Sequence, residues 1–280
     1  MSHQPRIAIT GATGNIGRGV AHNLVGTDTR LRLIVRDASR APAGATDVAE
    51  ATYGDRAAAE AALRGVDVLF MVSASESADR VDQHRTFIDA AAAAGVQHVI
   101  YTSFLGAAPD AEFTLGRDHW ATEEHLRGSG MQVTVLRDSF YLDFLPTLAG
   151  EDGVIRGPGG NGRVGAVARA DVARSAAAVL RDPAAHVGAT YNLTGPQALT
   201  LTEVARIITE LTGRTTTYHV ETIDEAYASR RHYGAPEWQL DAWVSTYTAI
   251  ASGALDLVTD TVEQLSGTAP LSLADILRQP

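Results

Sequence analysis

Short β-branched runs alternate with alanine-rich amphipathic stretches through the first half of this chain, and this alternation constrains the fold most. Apolar residues in the intervening stretches recur at helical spacing. Strands joined by helical crossovers have to run parallel, with helices on both faces of the sheet. The runs predicted as strands are Arg6–Thr10, Leu31–Val35, Asp47–Ala51, Val66–Val72, His98–Thr102 and Gln132–Leu136. The pattern predicts an α/β fold with a doubly wound parallel Rossmann sheet.

The alternation becomes irregular after Leu136. Gly150–Gly165 is rich in glycine and predicts loops, while Arg163–Val167 and Thr190–Leu193 could add strands. From Leu199 onward the patterns are mostly helical, with Thr202 predicted as the N-cap of a helix that ends at Gly213. We therefore expect a Rossmann domain over residues 1–137, to which 163–193 returns, and a smaller, mostly helical substrate-capping domain over 138–162 and 194–280.

Composition excludes several kinds of chemistry. The 280 residues contain no cysteine and no lysine, which excludes disulfides, thiolate metal sites, a cysteine nucleophile and a Schiff-base lysine. A formal net charge of −10 with scattered arginines argues against direct nucleic-acid binding. The histidines lack metal-ligand spacing, and no apolar run is long enough for a membrane span. We expect a cytoplasmic protein with a small-molecule partner, no metal and no membrane insertion; the oligomeric state stays open.

A glycine-rich turn follows the first predicted strand. Its residues, Gly11-Ala12-Thr13-Gly14-Asn15-Ile16-Gly17, lead into a helical pattern. Gly11 allows the tight turn, Gly14 lets the backbone approach a pyrophosphate, and Gly17 lets the helix pack closely on the sheet. Thr13 and Asn15 can add polar contacts, and Ile16 begins the buried helix face. The turn therefore predicts a dinucleotide-binding site.

The residue after the second strand distinguishes the two common dinucleotides. An acidic residue there accepts a hydrogen bond from the ribose 2′-hydroxyl of NAD, whereas an arginine binds the 2′-phosphate of NADP. Arg36 comes first, Asp37 follows it, and Arg40 is close behind. Although Asp37 complicates the interpretation, the order of the residues favours NADP(H).

Further polar residues follow the later strands. Ligands bind at the carboxyl edge of an open α/β sheet, where all of these strand ends meet. We expect Asp55 near the adenine, Val72, Ser73 and Ala74 along the ribose, and Thr102 and Ser103 near the nicotinamide. Together with the glycine turn and Arg36, these residues form the predicted cofactor site.

Several short motifs follow the predicted strands: GATGNIG after the first, VRD after the second, YGD after the third, YTS at the fifth and VLRDSFYLDF after the sixth, together with the helix RDHWATE. With these motifs the chain resembles the NmrA-like group of atypical short-chain dehydrogenases, and in particular its bacterial NADPH-dependent quinone oxidoreductases. The resemblance covers nearly the whole chain. It implies NADP(H) binding on the larger domain and a substrate cleft beneath the smaller one.

The resemblance also implies candidate residues at that cleft. Phe140, Tyr141 and Asp143 are expected to line it, although the family commonly has asparagine where Asp143 stands here. His119 lies on the helix that the resemblance places beside the cofactor, and Glu123 shares its face at a spacing of four residues. His119 and Tyr141 are therefore the candidates for catalytic roles.

The predicted reaction follows from what the chain lacks. Typical short-chain dehydrogenases use a tyrosine with a lysine four residues later as the proton relay, and here there is no lysine. A quinone needs only a weak proton donor after it accepts hydride, so NADPH-dependent reduction of a quinone or similar flat conjugated ring ketone is the leading hypothesis. Two alternatives stay open: a regulatory protein that senses NADP(H) with little turnover, and a reductase or isomerase of a biosynthetic pathway.

Overall fold

The strands and helices alternate along most of the chain. A computed structural model describes residues 5–26, 29–42, 44–45 and 47–278. The strands are β1 (Arg6–Thr10), β2 (Arg30–Val35), β3 (Val48–Glu50), β4 (Val68–Met71), β5 (His98–Phe104), β6 (Gln132–Asp138), β7 (Val154–Gly157), β8 (Arg163–Val164), β9 (Thr190–Leu193), β10 (Leu199–Thr200) and β11 (Thr217–Val220). The α-helices are α1 (Asn15–Leu24), α2 (Arg56–Leu63), α3 (Arg80–Ala93), α4 (Thr114–Gly128), α5 (Arg169–Arg181), α6 (Leu201–Thr212), α7 (Ile223–Arg230), α8 (Glu237–Ala251), α9 (Thr261–Ser266) and α10 (Leu273–Arg278).

A seven-stranded sheet forms the centre of the fold, in the order β3-β2-β1-β4-β5-β6-β9. The pairs β2–β3, β1–β2, β1–β4 and β4–β5 are parallel. The chain therefore leaves β1 in one direction to build β2 and β3, and later crosses to the other side for β4 and β5. This reversal at β1 creates the crevice in which open α/β sheets bind ligands. The sheet and its flanking helices confirm the predicted doubly wound α/β class.

The chain divides into two compact units. Unit 1 comprises Met1–Ser103, Asp118–Arg137 and Val172–Tyr191, and unit 2 comprises Phe104–Arg117, Asp138–Asp171 and Asn192–Pro280. The core of unit 1 contains the side chains of Leu69, Phe87, Ile88, Tyr101 and Leu126, among others. The core of unit 2 contains those of Ile155, Val164, Leu201, Val204 and Ile250, among others. Each unit therefore has its own hydrophobic core.

The irregular stretch before α5 is more ordered than its glycines predict. It contains β7, which pairs in parallel with β11, and β8, which pairs antiparallel with β10. The predicted strand Arg163–Val167 is therefore wrong beyond Val164. Beyond Val164 the N–H of Gly165 donates to the carbonyl of Leu255 at 3.0 Å, and the backbone approaches Leu257 so closely that a side chain at Gly165 would collide with its oxygen. Of the two later predicted strands, Thr190–Leu193 joins the central sheet.

The predicted N-cap of α6 is wrong by two residues. Thr200, and not Thr202, is the N-cap, because its hydroxyl accepts from the backbone N–H of Glu203 while the Glu203 carboxylate accepts from the backbone N–H of Thr200. This reciprocal pair is a capping box. Gly213 ends the helix with φ of 72°, as predicted. No helix in the described part of the chain is long and apolar enough to cross a membrane.

Candidate functional site

The glycine turn links β1 to α1 in a conformation that its glycines make possible. Gly11 has φ of 62°, which favours glycine, and its carbonyl accepts from the N–H of Gly14 at 2.8 Å. A side chain at Gly17 would collide with the backbone oxygen of Gly11. Gly14 is the N-cap of α1 without a capping side chain, so the first-turn amides are left for an anionic ligand. The cradle therefore fits a dinucleotide pyrophosphate.

The other polar residues of the turn lie at its surface. Asn15 is exposed and Thr13 is half-buried, and the backbone oxygen of Thr13 accepts from Arg18 at 2.7 Å. Ile16 is buried with Val20 on the face of α1 that packs on the sheet. Ile16 therefore begins the buried face of the helix, as predicted.

Arg36 is exposed directly after β2. The neighbouring Asp37 carboxylate accepts from the backbone N–H of Ser39 at 2.9 Å and from its hydroxyl at 2.6 Å, which lowers the pKa of Asp37. It caps a short 3₁₀ helix, Ala38–Arg40, and Glu50 accepts from the N–H of Ala38 at 2.6 Å. Both carboxylates thus serve the backbone of this turn, which leaves the guanidinium of Arg36 available to a phosphate.

Asp55 lies at the start of α2. Its carboxylate accepts from the backbone N–H of Ala58 at 3.0 Å, which makes it the N-cap of that helix. Its place near the adenine stays a prediction, and the structure adds this capping contact.

The segment after β4 is held by side chains from other elements. The Thr10 hydroxyl accepts from the N–H of Val72 at 2.8 Å, and the Tyr53 hydroxyl donates to the carbonyl of Val72. The Thr102 hydroxyl accepts from the N–H of Ser73 at 2.8 Å. Thr102 therefore acts on the neighbouring strand end, a contact that the sequence does not predict.

Side chains bind both the backbone N–H and the backbone carbonyl of Ala74. His84 Nε2 accepts from its N–H at 2.9 Å, and Arg80 Nε donates to its carbonyl at 3.0 Å. Burial, and then the charge of Arg80, lowers the pKa of His84 from its ordinary value of 6.5 to about 3. His84 is therefore neutral, with its Nδ1 against the hydroxyl of Thr122 at 2.8 Å.

Ser103 lies inside unit 1 and not at its surface. Its fully buried hydroxyl donates to Glu123 Oε1 at 2.5 Å, and Arg137 binds both oxygens of Glu123 at 2.8 and 2.7 Å. Burial raises the pKa of Glu123, but the hydrogen bonds from Arg137 and Ser103 outweigh it and lower the pKa overall. Glu123 is therefore an ionised internal anchor of α4, with Arg127 as a further partner at 2.8 Å.

His119 is nearly buried, with 6 % of its surface exposed. Arg80 donates to its Nε2 at 3.0 Å, so the proton of the neutral ring lies on Nδ1, 3.0 Å from the hydroxyl oxygen of Tyr101. Burial and the charge of Arg80 lower the pKa of His119 well below its ordinary value. His119 is therefore a neutral imidazole held by Arg80 and Tyr101, whereas Glu123 one turn later is held by Ser103 and Arg137.

Phe140, Tyr141 and Asp143 belong to unit 2. The Phe140 ring packs against Phe104 and Phe113, with centroids 5.0 and 5.2 Å apart. The Tyr141 hydroxyl donates to Asp138 Oδ2 at 2.6 Å. These contacts fix the first half of the segment to the core of its unit.

Arg169 links the two polar residues of this segment. Its guanidinium lies 4.9 Å from the centroid of the Tyr141 ring, a cation–π contact, and its backbone N–H donates to Asp143 Oδ2 at 2.9 Å. Asp143 thus bonds to the first residue of α5. An asparagine oxygen could accept the same bond, so the departure from the family pattern preserves this structural contact.

The predicted residues therefore divide between the two units. The strand ends of β1, β2, β4 and β5 bring the glycine turn, Arg36, Val72–Ala74 and Thr102 to the carboxyl edge of the parallel sheet in unit 1. Sequence reasoning missed Tyr53 and Arg80, whose contacts join residues far apart in the chain. The signal that could have found Arg80 is its place at the start of α3, close behind a strand end.

One further feature lies apart from the predicted residues. A cavity of about 410 Å³ in unit 2 is lined by Arg163, Gln197, Ala198, Leu199, Glu203, Arg206 and Ile207. In the described ranges, no group of three or more His, Asp or Glu side chains is placed to hold a metal ion.

Comparison with known proteins identifies the family. The model of the NmrA-like family matches residues 3–230. The chain belongs to this family. Quinone oxidoreductase 2 of Escherichia coli (strain K12) is 36% identical over 277 residues, 96% of each chain. The NAD(P)H azoreductase of Xenophilus azovorans is 31% identical over 97% of this chain and 96% of its own. The crystal structure of the NADPH-dependent quinone oxidoreductase of E. coli with NADPH superimposes with a TM-score of 0.88, at 35% identity, over 97% of this chain and 98% of that one.

Proposed function

We propose that this NmrA-like protein is an NADPH-dependent reductase that transfers hydride to a quinone or a similar conjugated ring ketone. The observation that carries the proposal is the cradle at the end of β1, where a side chain at Gly17 would collide with Gly11 and the first-turn amides of α1 lack a capping side chain. The relatives named quinone oxidoreductase and NAD(P)H azoreductase support a reductase that acts on a flat conjugated acceptor.

Arg36 supplies the preference for the phosphorylated cofactor. It is exposed at the end of β2, and Asp37 is engaged with Ser39. An ionised Asp37 that already accepts two hydrogen bonds is a poor acceptor for the 2′-hydroxyl of NAD, whereas the guanidinium of Arg36 gains a charge-assisted bond with a 2′-phosphate. The chain therefore binds NADPH in preference to NADH.

The protein needs to supply little acid–base chemistry. When bound, NADPH supplies the hydride, and a quinone that accepts it becomes a hydroquinone anion that one proton completes. Because this anion is aromatic and stabilised, a weak proton donor or water is sufficient, and the missing tyrosine–lysine relay is no obstacle. The contribution of the chain is to bind and orient the two reactants.

Two side chains are proposed to serve the acceptor. Tyr141 carries a hydroxyl that donates its proton to Asp138 in the structure, and it donates to the acceptor oxygen instead when a ring is bound. His119 is neutral, with Nε2 bound by Arg80 and its Nδ1 proton facing Tyr101, so it does not act as an imidazolium acid, and its proposed part in serving the acceptor is indirect, through these two partners. Loss of the His119 ring should therefore reduce activity only partly.

The test is the consumption of NADPH by the purified chain with a panel of acceptors. Quinones should be reduced, and secondary alcohols with NADP should give no NADPH, because an alcohol requires the strong proton relay that is missing. Rapid alcohol oxidation would contradict the proposal. Tight NADPH binding without turnover of any quinone, azo dye or enone would favour a cofactor-sensing protein instead.

A further inference from the structure

The segment that follows β4 has an unusual source of hydrogen bonds. Its Val72 N–H and carbonyl are bound by the side chains of Thr10 and Tyr53, and its Ser73 N–H by that of Thr102. Loops normally satisfy their backbone through turns or water. Here side chains from distant parts of the chain perform this task, so the segment is fixed by the folded core of unit 1 itself.

Ala74 extends this arrangement to the helix α3. Its N–H donates to His84 and its carbonyl accepts from Arg80, at 2.9 and 3.0 Å. Both side chains are buried, with 0 and 4 % of their surfaces exposed. A buried guanidinium is costly unless it is paired, and Arg80 has Asp118 at 3.6 Å and His119 at 3.0 Å as partners. The chain therefore places a charged group inside unit 1 where it holds one peptide of this segment.

The carbonyl of Ser73 is the exception in the segment. Within the described residues, no donor to this oxygen is found, although the neighbouring peptide groups of Val72 and Ala74 are bound on both sides. Ser73 is half-buried, so water can serve this oxygen in the free protein. A backbone acceptor at the edge of an otherwise fixed segment is suited to a ligand that can donate a hydrogen bond in place of that water.

The order of the strands indicates which part of the cofactor reaches this oxygen. In the sheet, β1 lies between β2 and β4. If Arg36 at the end of β2 binds the 2′-phosphate and the glycine turn at the end of β1 binds the pyrophosphate, the other half of the dinucleotide extends over the ends of β4 and β5. That half carries the nicotinamide ribose hydroxyls and the carboxamide, which are hydrogen-bond donors.

We propose that Thr10, Tyr53, Arg80, His84 and Thr102, together called the β4-end clamp, are positioning residues that fix Val72–Ala74 so that the Ser73 carbonyl binds the nicotinamide half of NADPH. The inference rests on the proposed NADPH binding and deepens it. A segment that is fixed before binding loses little conformational freedom when the cofactor arrives, so the clamp raises affinity and orients the ring without touching it.

The test uses His84, because substitution can remove or restore the atom that accepts from the N–H of Ala74. His84→Phe keeps a ring but leaves the N–H of Ala74 without its acceptor, whereas His84→Gln offers an oxygen at a similar reach. His98→Phe is the matched control, because His98 is also buried in unit 1 but bonds to Thr134 at the opposite end of β5. Calorimetric titration of each variant uses NADPH and, separately, adenosine 2′,5′-bisphosphate, which contains only the adenosine half.

The clamp predicts a selective effect. His84→Phe should weaken NADPH binding about tenfold, the scale expected when one buried donor loses its partner, and should change the Kd of the bisphosphate by less than about twofold. His84→Gln should restore most of the NADPH affinity, and His98→Phe should alter neither Kd. If His84→Phe fails to fold, Thr102→Val removes the acceptor of the Ser73 N–H and tests the same expectation.

Two results would overturn the clamp. One is an equal loss of affinity for both ligands in a folded His84→Phe protein, which would indicate a general structural role. The other is an unchanged NADPH Kd in both His84→Phe and Thr102→Val. A failure of the proposed NADPH binding is distinguishable from these, because then the unmutated chain itself would bind neither NADPH nor the bisphosphate, and a failure of the proposed reduction alone would leave both Kd values intact while no acceptor is turned over.

Discussion

Arg36 is the single side chain on which the choice between NADPH and NADH is expected to depend. The carboxylate of Asp37 is occupied by Ser39, so removing Arg36 takes away the main charge that a 2′-phosphate can meet at this strand end. Arg36→Ala should weaken NADPH binding by about 1–3 kcal/mol and leave NADH binding nearly unchanged. Titration of both cofactors measures this, with Arg206→Ala as the control because that exposed arginine pairs with Glu210 in unit 2. Equal affinities for the two cofactors in the unmutated chain would contradict the assignment.

His84 gives the stability of the protein a dependence on pH. Burial, followed by the charge of Arg80, lowers its pKa from 6.5 to about 3, so between these values the unfolded chain binds a proton that the folded chain excludes. The free energy of unfolding should therefore decrease as the pH falls below about 6.5, by at most about 1.4 kcal/mol per pH unit from this residue. His84→Gln should make the decrease shallower, as measured by urea unfolding at a series of pH values. The same slope in both proteins would show that His84 is not its source.

The sequence predicts residues well where the requirement is local. Gly11 and Gly17 were predictable because a left-handed turn and a close helix–strand approach depend on a few neighbouring residues. Tyr53 and Arg80 were not, because they make their hydrogen bonds to residues that only the folded sheet brings close to them. A lone buried arginine in an amphipathic pattern looks like a surface charge until the fold is known.

At the scale of elements, the start of α6 has two threonines that could cap the helix, and only Thr200 does so. Thr200 makes the reciprocal bonds with Glu203, whereas Thr202 is exposed within the first turn. Thr200→Ala should lower the free energy of unfolding by about 1 kcal/mol, and Thr202→Ala should change it by less than about 0.5 kcal/mol. Thermal and urea unfolding of the two variants compare them directly. A larger loss for Thr202→Ala would return the cap to the position that the sequence suggests.

The central strands were predictable, and the small accessory strands were not. β1 has the predicted bounds because a buried β-branched run is a strong local signal, and β9 also has the predicted bounds although most of it is exposed or half-buried. β7 and β11 are short, lie far apart in the chain and form a two-stranded sheet with each other, so they depend on a pairing that no local pattern carries. The glycines around β7 meanwhile predict a loop. The missed strands all belong to unit 2, where pairing over long sequence distances replaces the regular alternation of unit 1.

At the scale of the whole molecule, the two units are expected to divide the work between cofactor and acceptor. Arg36 and the β4-end clamp belong to unit 1, and Tyr141 and Asp143 belong to unit 2. Variants of the first group should therefore change cofactor affinity. Variants of the second should change the kinetics with the acceptor and leave the NADPH Kd within about twofold of the unmutated value, since they touch a different ligand.

Tyr141 and Asp143 provide the decisive variants for this division. Tyr141→Phe removes the hydroxyl proposed to serve the acceptor but keeps the ring beside Arg169, so kcat/KM for a quinone should fall about tenfold or more. Asp143→Asn keeps an acceptor for the N–H of Arg169, so it should preserve folding while it alters the KM for the quinone. Tyr227→Phe is the matched control, because Tyr227 donates to Asp241 at 2.7 Å in the same unit without a proposed role. If Tyr141→Phe and Tyr227→Phe have the same effect, or if NADPH affinity falls in proportion to kcat/KM, Tyr141 maintains the fold of unit 2 and the acceptor must be bound by other residues.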